Sequence, residues 1–418
     1  MAFALSTISK LFTEDVLNKV VQNALQSTGK SDLHIASYQV EPGADKGTGY
    51  MGIVYRIRVT LSDGSELTLI GKGMPQNMVR RKTFRSEPFF RKEVMFFNHL
   101  APMLRQLELK QRGEGAKDTF LPISECYYAM SDGENDFLVF QDLKSLGYEM
   151  ADRISGPTEA QRNSLLHTLA KFHALSFALQ TLQPETFSEA VAPIYEPWFA
   201  REFSSFYAGY LYKLFGLWHR AVHDQLKGTH YLSRFERLGA NQKVFFDNLC
   251  DSLRLLQPAV INHGDAWSTN FMFKGHQVMM IDFQLVRYCS AMTDLSMFIF
   301  NCTTEEQRAA AGGTEAILKE YYQVLCGAVA QLGLPECPLS WQQLMEQWCV
   351  NGLLGFGGCL ELVPLSLVES EDVQDLDRVE GNEPIPLDEL TQFSELTKPE
   401  HKKRLVDLIR LAVDYNMF

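Results

Sequence analysis

Behind Thr13, Glu14 and Asp15, which suit a capped first turn, the apolar residues Val16, Leu17, Val20, Val21, Ala24 and Leu25 recur at helical spacing. They predict a helix that packs by one face. From about Ser37 to Lys72 the texture becomes that of strands, with Tyr50 to Leu61, a turn at Asp63-Gly64, and then Leu67 to Lys72. A hairpin is the simplest arrangement. Ser86 is placed to cap a second helix reaching about Leu104, and Phe137 to Phe140 reads as a short apolar strand running into Gln141, Asp142 and Leu143. Beyond Gly156-Pro157 the period turns helical. It opens with Thr158 and Gln161 at capping-box spacing and continues through Leu165, Leu166, Leu169, Phe172 and His173. Short β-like segments, Val260 to Asn262, Phe271 to Phe273 and Val278 to Ile281, interrupt it once.

This order predicts an α+β protein of two lobes: residues 1–143, small and β-rich, and residues 144–418, larger and mainly helical. The length of 418 residues agrees, since it exceeds what one hydrophobic core usually serves. Composition adds little, with 46% hydrophobic and 22% charged residues as in ordinary globular chains. The formal charge of -12 argues against a nucleic-acid partner. Much of that charge lies between Glu369 and Glu389, with nine acidic residues against Arg378 alone, a segment expected to be a solvated loop. The eight cysteines form no CxxC pair and are expected to be reduced thiols. No stretch reaches the roughly 20 apolar residues of a membrane span, so the cytoplasm is the expected location. Nothing calls for an obligate protein partner.

The chemistry is concentrated in His263-Gly264-Asp265-Ala266-Trp267-Ser268-Thr269-Asn270, followed by Ile281-Asp282-Phe283. Phosphoryl transfer from ATP needs a carboxylate beside the attacking hydroxyl and oxygen ligands for a Mg²⁺ that bridges the phosphates. Asp265 and Asn270, five residues apart, supply the first and part of the second; Asp282 ends an apolar strand, where a carboxylate wants a cation. His263 is expected to brace the loop. In the first lobe, Gly47-Thr48-Gly49-Tyr50-Met51-Gly52-Ile53-Val54 fits GxGxxGxV entering a hairpin, so Gly47, Gly49 and Gly52 would let backbone amides approach phosphate. A Rossmann turn would open a helix instead. Lys72 ends the next strand, and Glu93 falls on the apolar stripe of Phe89, Phe97 and Leu100. An inward carboxylate needs a cation, so Lys72–Glu93 is the expected pair, with Arg80, Arg81 or Lys82 as the alternative partners of Glu93.

These residues, with Lys92-Glu93 to Phe97, Pro102, Leu138 to Leu143, Leu169 to Ser176, Asp282-Phe283-Gln284 and Asp294-Leu295, give the chain its family likeness. It resembles the ecdysteroid kinase-like family of arthropods, within the choline kinase and aminoglycoside phosphotransferase-like kinases. The resemblance implies a bilobal protein-kinase-like fold, ATP between the lobes with adenine against Gln141, Asp142 and Leu143, and phosphorylation of a hydroxyl on a steroid or other apolar small molecule. Gln141 stands where such proteins usually carry an acidic residue, and Gly47 to Gly52 is richer in glycine than their phosphate loop. His173 is expected to be a core histidine, and Asp294 to cap the helix that follows and steady the catalytic loop.

About a dozen residues separate Asp282 from Asp294, too few for the activation segment and peptide platform of a protein kinase. The acceptor is therefore expected to be a small-molecule alcohol, an ecdysteroid or a dietary or xenobiotic compound. Two other readings stand beside it: a choline or ethanolamine kinase, and a silent member that binds ATP or a ligand without transfer. Ten aromatics between Tyr195 and Trp218 either wall a pocket or fill the lobe's own core.

Overall fold

In the computed structural model, residues 3–26, 29, 32–43, 52–367, 381–390 and 393–418 are described. Gly47 and Gly49 of the glycine-rich stretch, and most of the acidic segment, lie outside them. Strands β1 (Ile35–Pro42), β2 (Ile53–Leu61), β3 (Glu66–Gly73), β4 (Cys126–Met130) and β5 (Phe137–Gln141) form an antiparallel sheet in the order β1-β2-β3-β5-β4. The β2–β3 hairpin closes through the Asp63-Gly64 turn, as the sequence predicts.

The sheet is covered on both faces, so alternate residues of each strand enter different cores. Helix α1 (Glu14–Gln26) packs Leu17, Val20, Val21 and Leu25 against Ile57, Val59, Leu69, Phe137 and Val139. On the other face, helix α2 (Ser86–Met95) brings Phe90 and Val94 to Leu138 and Phe140. In β3 the alternation sends Leu69 to the first core and Ile70 to the second; Lys72, two residues on from Ile70, therefore projects toward α2. Gly73 is needed because the chain near Ile8 crosses it: a Cβ there would come within 2.0 Å of the Ile8 carbonyl oxygen.

The expected helix from Ser86 to Leu104 is observed in three parts, α2, a π-helical turn Phe96–Leu100, and α3 (Ala101–Arg112). Ser86 does not cap it. The flanking residue is Arg85, in the left-handed region at φ 53°, and Ser86 is already helical and fully buried. Strand β4 was not anticipated, since all five of its residues are half-buried and lack a period.

The second part is helical around one large core. Helix α4 (Glu159–Leu182) starts with the Thr158/Gln161 capping box and runs through that core. Helix α5 (Ser204–Leu226) carries most of the aromatic segment, and α6 (Met292–Cys302), buried along its whole length, packs against α7 (Leu353–Leu367). Between them, β6 (Glu149–Met150), β8 (Phe271–Lys274) and β9 (Gln277–Met280) form one small sheet, and β7 (Val260–Asn262) with β10 (Arg287–Cys289) another. No single helix among the described residues is long and apolar enough to cross a membrane.

Candidate active site

The loop after β7 is held from beneath. Asp294, fully buried in the first turn of α6, accepts the backbone N–H groups of His263 and Gly264, each at 2.7 Å, and meets His173 Nε2 at 3.0 Å. Burial alone would raise its pKa, but these partners hold it below the usual carboxylate range. The side chain does not cap α6; its work is on the loop. His173 also meets the Tyr321 hydroxyl at 2.7 Å and is a core residue, as expected. His263 donates from Nε2 to the Ile281 carbonyl at 2.9 Å and accepts the Asp265 N–H at Nδ1 at 3.3 Å. Both bonds fit one neutral tautomer, which burial favours by lowering the imidazole pKa. Gly264 sits at φ +86°, and a Cβ there would lie 1.8 Å from the Leu285 carbonyl oxygen. Only glycine fits.

Asp265 is half-buried at the tip of this loop. Asn270 Nδ2 donates to its Oδ2 at 2.7 Å and to its backbone carbonyl at 2.9 Å, which leaves the amide oxygen of Asn270 outside these bonds. Burial, then the nearby Asp282 carboxylate, push the Asp265 carboxyl up to about 6.

Lys72 Nζ lies 2.6 Å from Glu93 Oε2 and 2.9 Å from Asp282 Oδ1, so β3, α2 and the segment after β9 meet at one ammonium. Burial opposes that ammonium, but the Asp282 and Glu93 carboxylates outweigh it and its pKa lies well above the ordinary lysine range. Burial pushes the Glu93 carboxyl upward, against the pull of Lys72 and the Phe283 backbone N–H. Asp282 holds φ at 68°, a conformation costing a non-glycine residue about 1–2 kcal/mol. The next residue anchors it: the Phe283 ring is buried and stacks on Phe96 at 3.7 Å.

Of the other residues singled out in the sequence, Gly52 lies beside Lys72: a Cβ there would come 3.4 Å from Lys72 Cε. Gln141 is half-buried at the end of β5, with its backbone N–H given to the Glu125 carbonyl and its own carbonyl accepting from Ser124. Asp142 accepts from Arg56 at 2.8 Å and from the Lys144 N–H at 3.0 Å, which ties β2 to the junction after β5; Leu143 is buried beside it.

The sequence reading missed a second charged network. Arg287 on β10 donates to the Gly264 carbonyl at 2.6 Å and to Glu196 Oε2 at 2.5 Å. Glu196 in turn accepts the backbone N–H groups of Trp198 and Phe199 at 2.8 and 3.0 Å. Burial opposes its ionisation, but Arg287 and then Lys92 hold its pKa at about 2. Lys92 is fully buried, with no hydrogen-bond partner for its Nζ among the described residues, and burial lowers its pKa to about 7. The available signal was an arginine inside the run Val286-Arg287-Tyr288-Cys289. In the aromatic segment, Tyr207, Tyr210, Phe215 and Trp218 belong to the core, whereas Trp198, Phe199, Phe203 and Phe206 are half-buried against it.

Among solved structures, the chain is similar to a choline kinase from Cryptosporidium parvum, at 10% identity over 97% of this chain and 98% of that one, with a TM-score of 0.43. It is also similar to an amicoumacin kinase in complex with AMP-PNP, Ca²⁺ and amicoumacin (15% identity, 86% and 91% coverage, TM-score 0.41). A Plasmodium vivax ethanolamine kinase matches at 12% identity, 86% and 91% coverage and a TM-score of 0.36. No curated protein matches the chain. The model of the ecdysteroid kinase-like family matches residues 46–334, which include Lys72, Glu93, Asp265, Asn270 and Asp282. The chain belongs to the ecdysteroid kinase-like family and is a small-molecule kinase.

Proposed function

We propose that this kinase transfers the γ-phosphoryl group of ATP to a hydroxyl of an ecdysteroid-like or other lipophilic alcohol, bound between an N-lobe of residues 1–143 and a C-lobe of residues 144–418. The observation that carries this reading is the convergence at Lys72, with Glu93 at 2.6 Å and Asp282 at 2.9 Å, beside the Asp265–Asn270 pair. Glu93 aims the Lys72 ammonium, which takes the charge of the phosphate oxygens. Asp265 orients the acceptor hydroxyl and receives its proton late, when the bond to phosphorus is largely formed; a carboxyl near 6 suits that role at neutral pH. Asn270, Asp294 and His263 hold Asp265 in place, so positioning does most of the work.

Asn270 and Asp282 would hold Mg²⁺. Their oxygens are the hard donors that this cation takes, and among the described residues no group of three or more His, Cys, Asp or Glu forms a closed metal cage. That suits an ion held by one or two protein ligands together with phosphate oxygens and water. When bound, the ion neutralises phosphate charge.

Half-buried Trp198, Phe199, Phe203 and Phe206 support an apolar acceptor. The test is transfer from radiolabelled ATP across steroids, phenols, aliphatic alcohols and choline. Asp265→Asn is expected to lower product formation about 10²- to 10⁴-fold while nucleotide still binds. Unchanged product would contradict the mechanism, and turnover of choline alone would contradict the apolar acceptor.

A further inference from the structure

The segment Tyr195-Glu196-Pro197-Trp198-Phe199 belongs to no helix or strand, yet it touches both halves of the site. One set of contacts is with α2, the helix whose Glu93 aims Lys72. The Tyr195 hydroxyl donates to the Pro88 carbonyl at 2.9 Å, and Trp198 sets its ring edge-on to Phe89 at 5.6 Å. The Lys92 ammonium, without a hydrogen-bond partner among the described residues, lies 5.8 Å from the centre of the Tyr195 ring and within the field of Glu196.

The other set reaches the catalytic loop. Both Glu196 oxygens are committed: Oε1 accepts the Trp198 and Phe199 N–H groups, and Oε2 accepts Nε of Arg287 at 2.5 Å. Arg287 pairs through its backbone with Asn262, the residue before His263, and gives Nη1 to the Gly264 carbonyl at 2.6 Å. A guanidinium is a rigid plane, so a carboxylate that holds one edge aims the other. The carbonyl it reaches lies in the planar peptide that joins Gly264 to Asp265, and fixing that plane fixes where the Asp265 side chain leaves the backbone. An ion pair that served stability alone would need no such endings, since apolar side chains of similar volume replace a buried pair at little cost.

We propose that Glu196 is a positioning residue: anchored on α2 by its neighbours and acting through Arg287, it holds the Gly264–Asp265 peptide in register with the Lys72–Glu93 pair. This inference rests on the kinase reading above, in which Asp265 meets the acceptor hydroxyl.

The test compares wild type with Glu196→Gln, Arg287→Met, the double variant and Asp265→Asn. Transfer from radiolabelled ATP is followed to water and to a mixture of steroids, phenols, aliphatic alcohols and choline, and kinetics are then run on the acceptor that wild type uses fastest. Binding of a fluorescent ATP analogue controls for folding. Glu196→Gln and Arg287→Met are each expected to lower kcat about 10- to 100-fold, with KM for ATP within about threefold of wild type. Because Glu196 acts through Arg287, the double variant should lose no more than either single one. It also leaves neither charge unpaired, so it carries the test if a single variant fails to bind nucleotide. A kcat within about threefold of wild type in a nucleotide-binding Glu196→Gln or double variant, a loss confined to KM, or single losses that multiply in the double variant overturns the assignment. Loss of transfer in Asp265→Asn then shows that the kinase reading has survived it. If wild type binds no nucleotide and transfers phosphate to none of these acceptors, the kinase reading and this inference fall together.

Discussion

Lys92 and Glu93 are neighbours on α2, yet they meet buried charge in opposite ways. Glu93 faces Lys72, and that ammonium is also shared with Asp282, so each of these three charges has a partner within 3 Å. Lys92, equally buried, has no hydrogen-bond partner among the described residues and depends on the field of Glu196, which Arg287 already engages. The first arrangement raises a lysine pKa, that of Lys72 on β3, and the second lowers one, that of Lys92 on α2. Pairing, more than burial, decides what a buried lysine is worth.

Removing the partnered lysine should cost most. Lys72→Met is expected to reduce phosphoryl transfer about 10³-fold, as loss of an electrostatic contact in a transition state does, and steady-state kinetics will measure it. A loss under tenfold would mean that Lys72 is only structural. Arg287→Met comes next. It leaves Glu196 half-buried without its cation and frees the Gly264 carbonyl, so unfolding by urea should show a loss of about 3 kcal/mol, at the low end for a broken buried pair because Glu196 keeps some contact with water.

The smallest effect should have the opposite sign. Lys92 binds its proton less tightly folded, at about 7, than unfolded, near 10.5, so as pH falls from 10.5 to 7 the fold loses stability. Lys92→Met removes that penalty, which the fall from 10.5 to about 7 sets at roughly 4–5 kcal/mol at most, less what relaxation and water around the ammonium already relieve, and should raise stability at pH 7 by at least about 1–2 kcal/mol, with the gain closing as pH climbs toward 10.5. A variant less stable at pH 7 would show that Lys92 is needed as the counter-charge of Glu196.

The same contrast explains what was legible in the sequence. Glu93 could be found because helical period puts it on the apolar stripe of Phe89, Phe97 and Leu100, where an inward carboxylate calls for a cation, and Lys72 stands first among the candidates. The catalytic loop was legible because Asp265, Asn270 and Asp282 lie in a short span with fixed spacing. The two-lobe order of strands then helices followed from periodicity, apart from β4, β6 and β10, too short or too evenly buried to show a period. The network of Lys92, Glu196 and Arg287 was not legible, since its members lie on three distant elements and meet only in the folded chain. Ser86 was misread because a left-handed Arg85 does the turning that a side-chain cap would otherwise do. In the aromatic segment, sequence left core and pocket open; the fold divides it, with the buried half on the inner face of α5.

The central claim is that Lys72, Asp265, Asn270 and Asp282 serve one triphosphate. A crystal structure with a non-hydrolysable ATP analogue and Mg²⁺ tests it most directly. The account predicts the ion on the oxygens of Asn270 and Asp282, and Lys72 still paired with Glu93 while it contacts phosphate oxygens. A nucleotide bound elsewhere, with Lys72 and Asp282 still closed on each other at 2.9 Å, would contradict it.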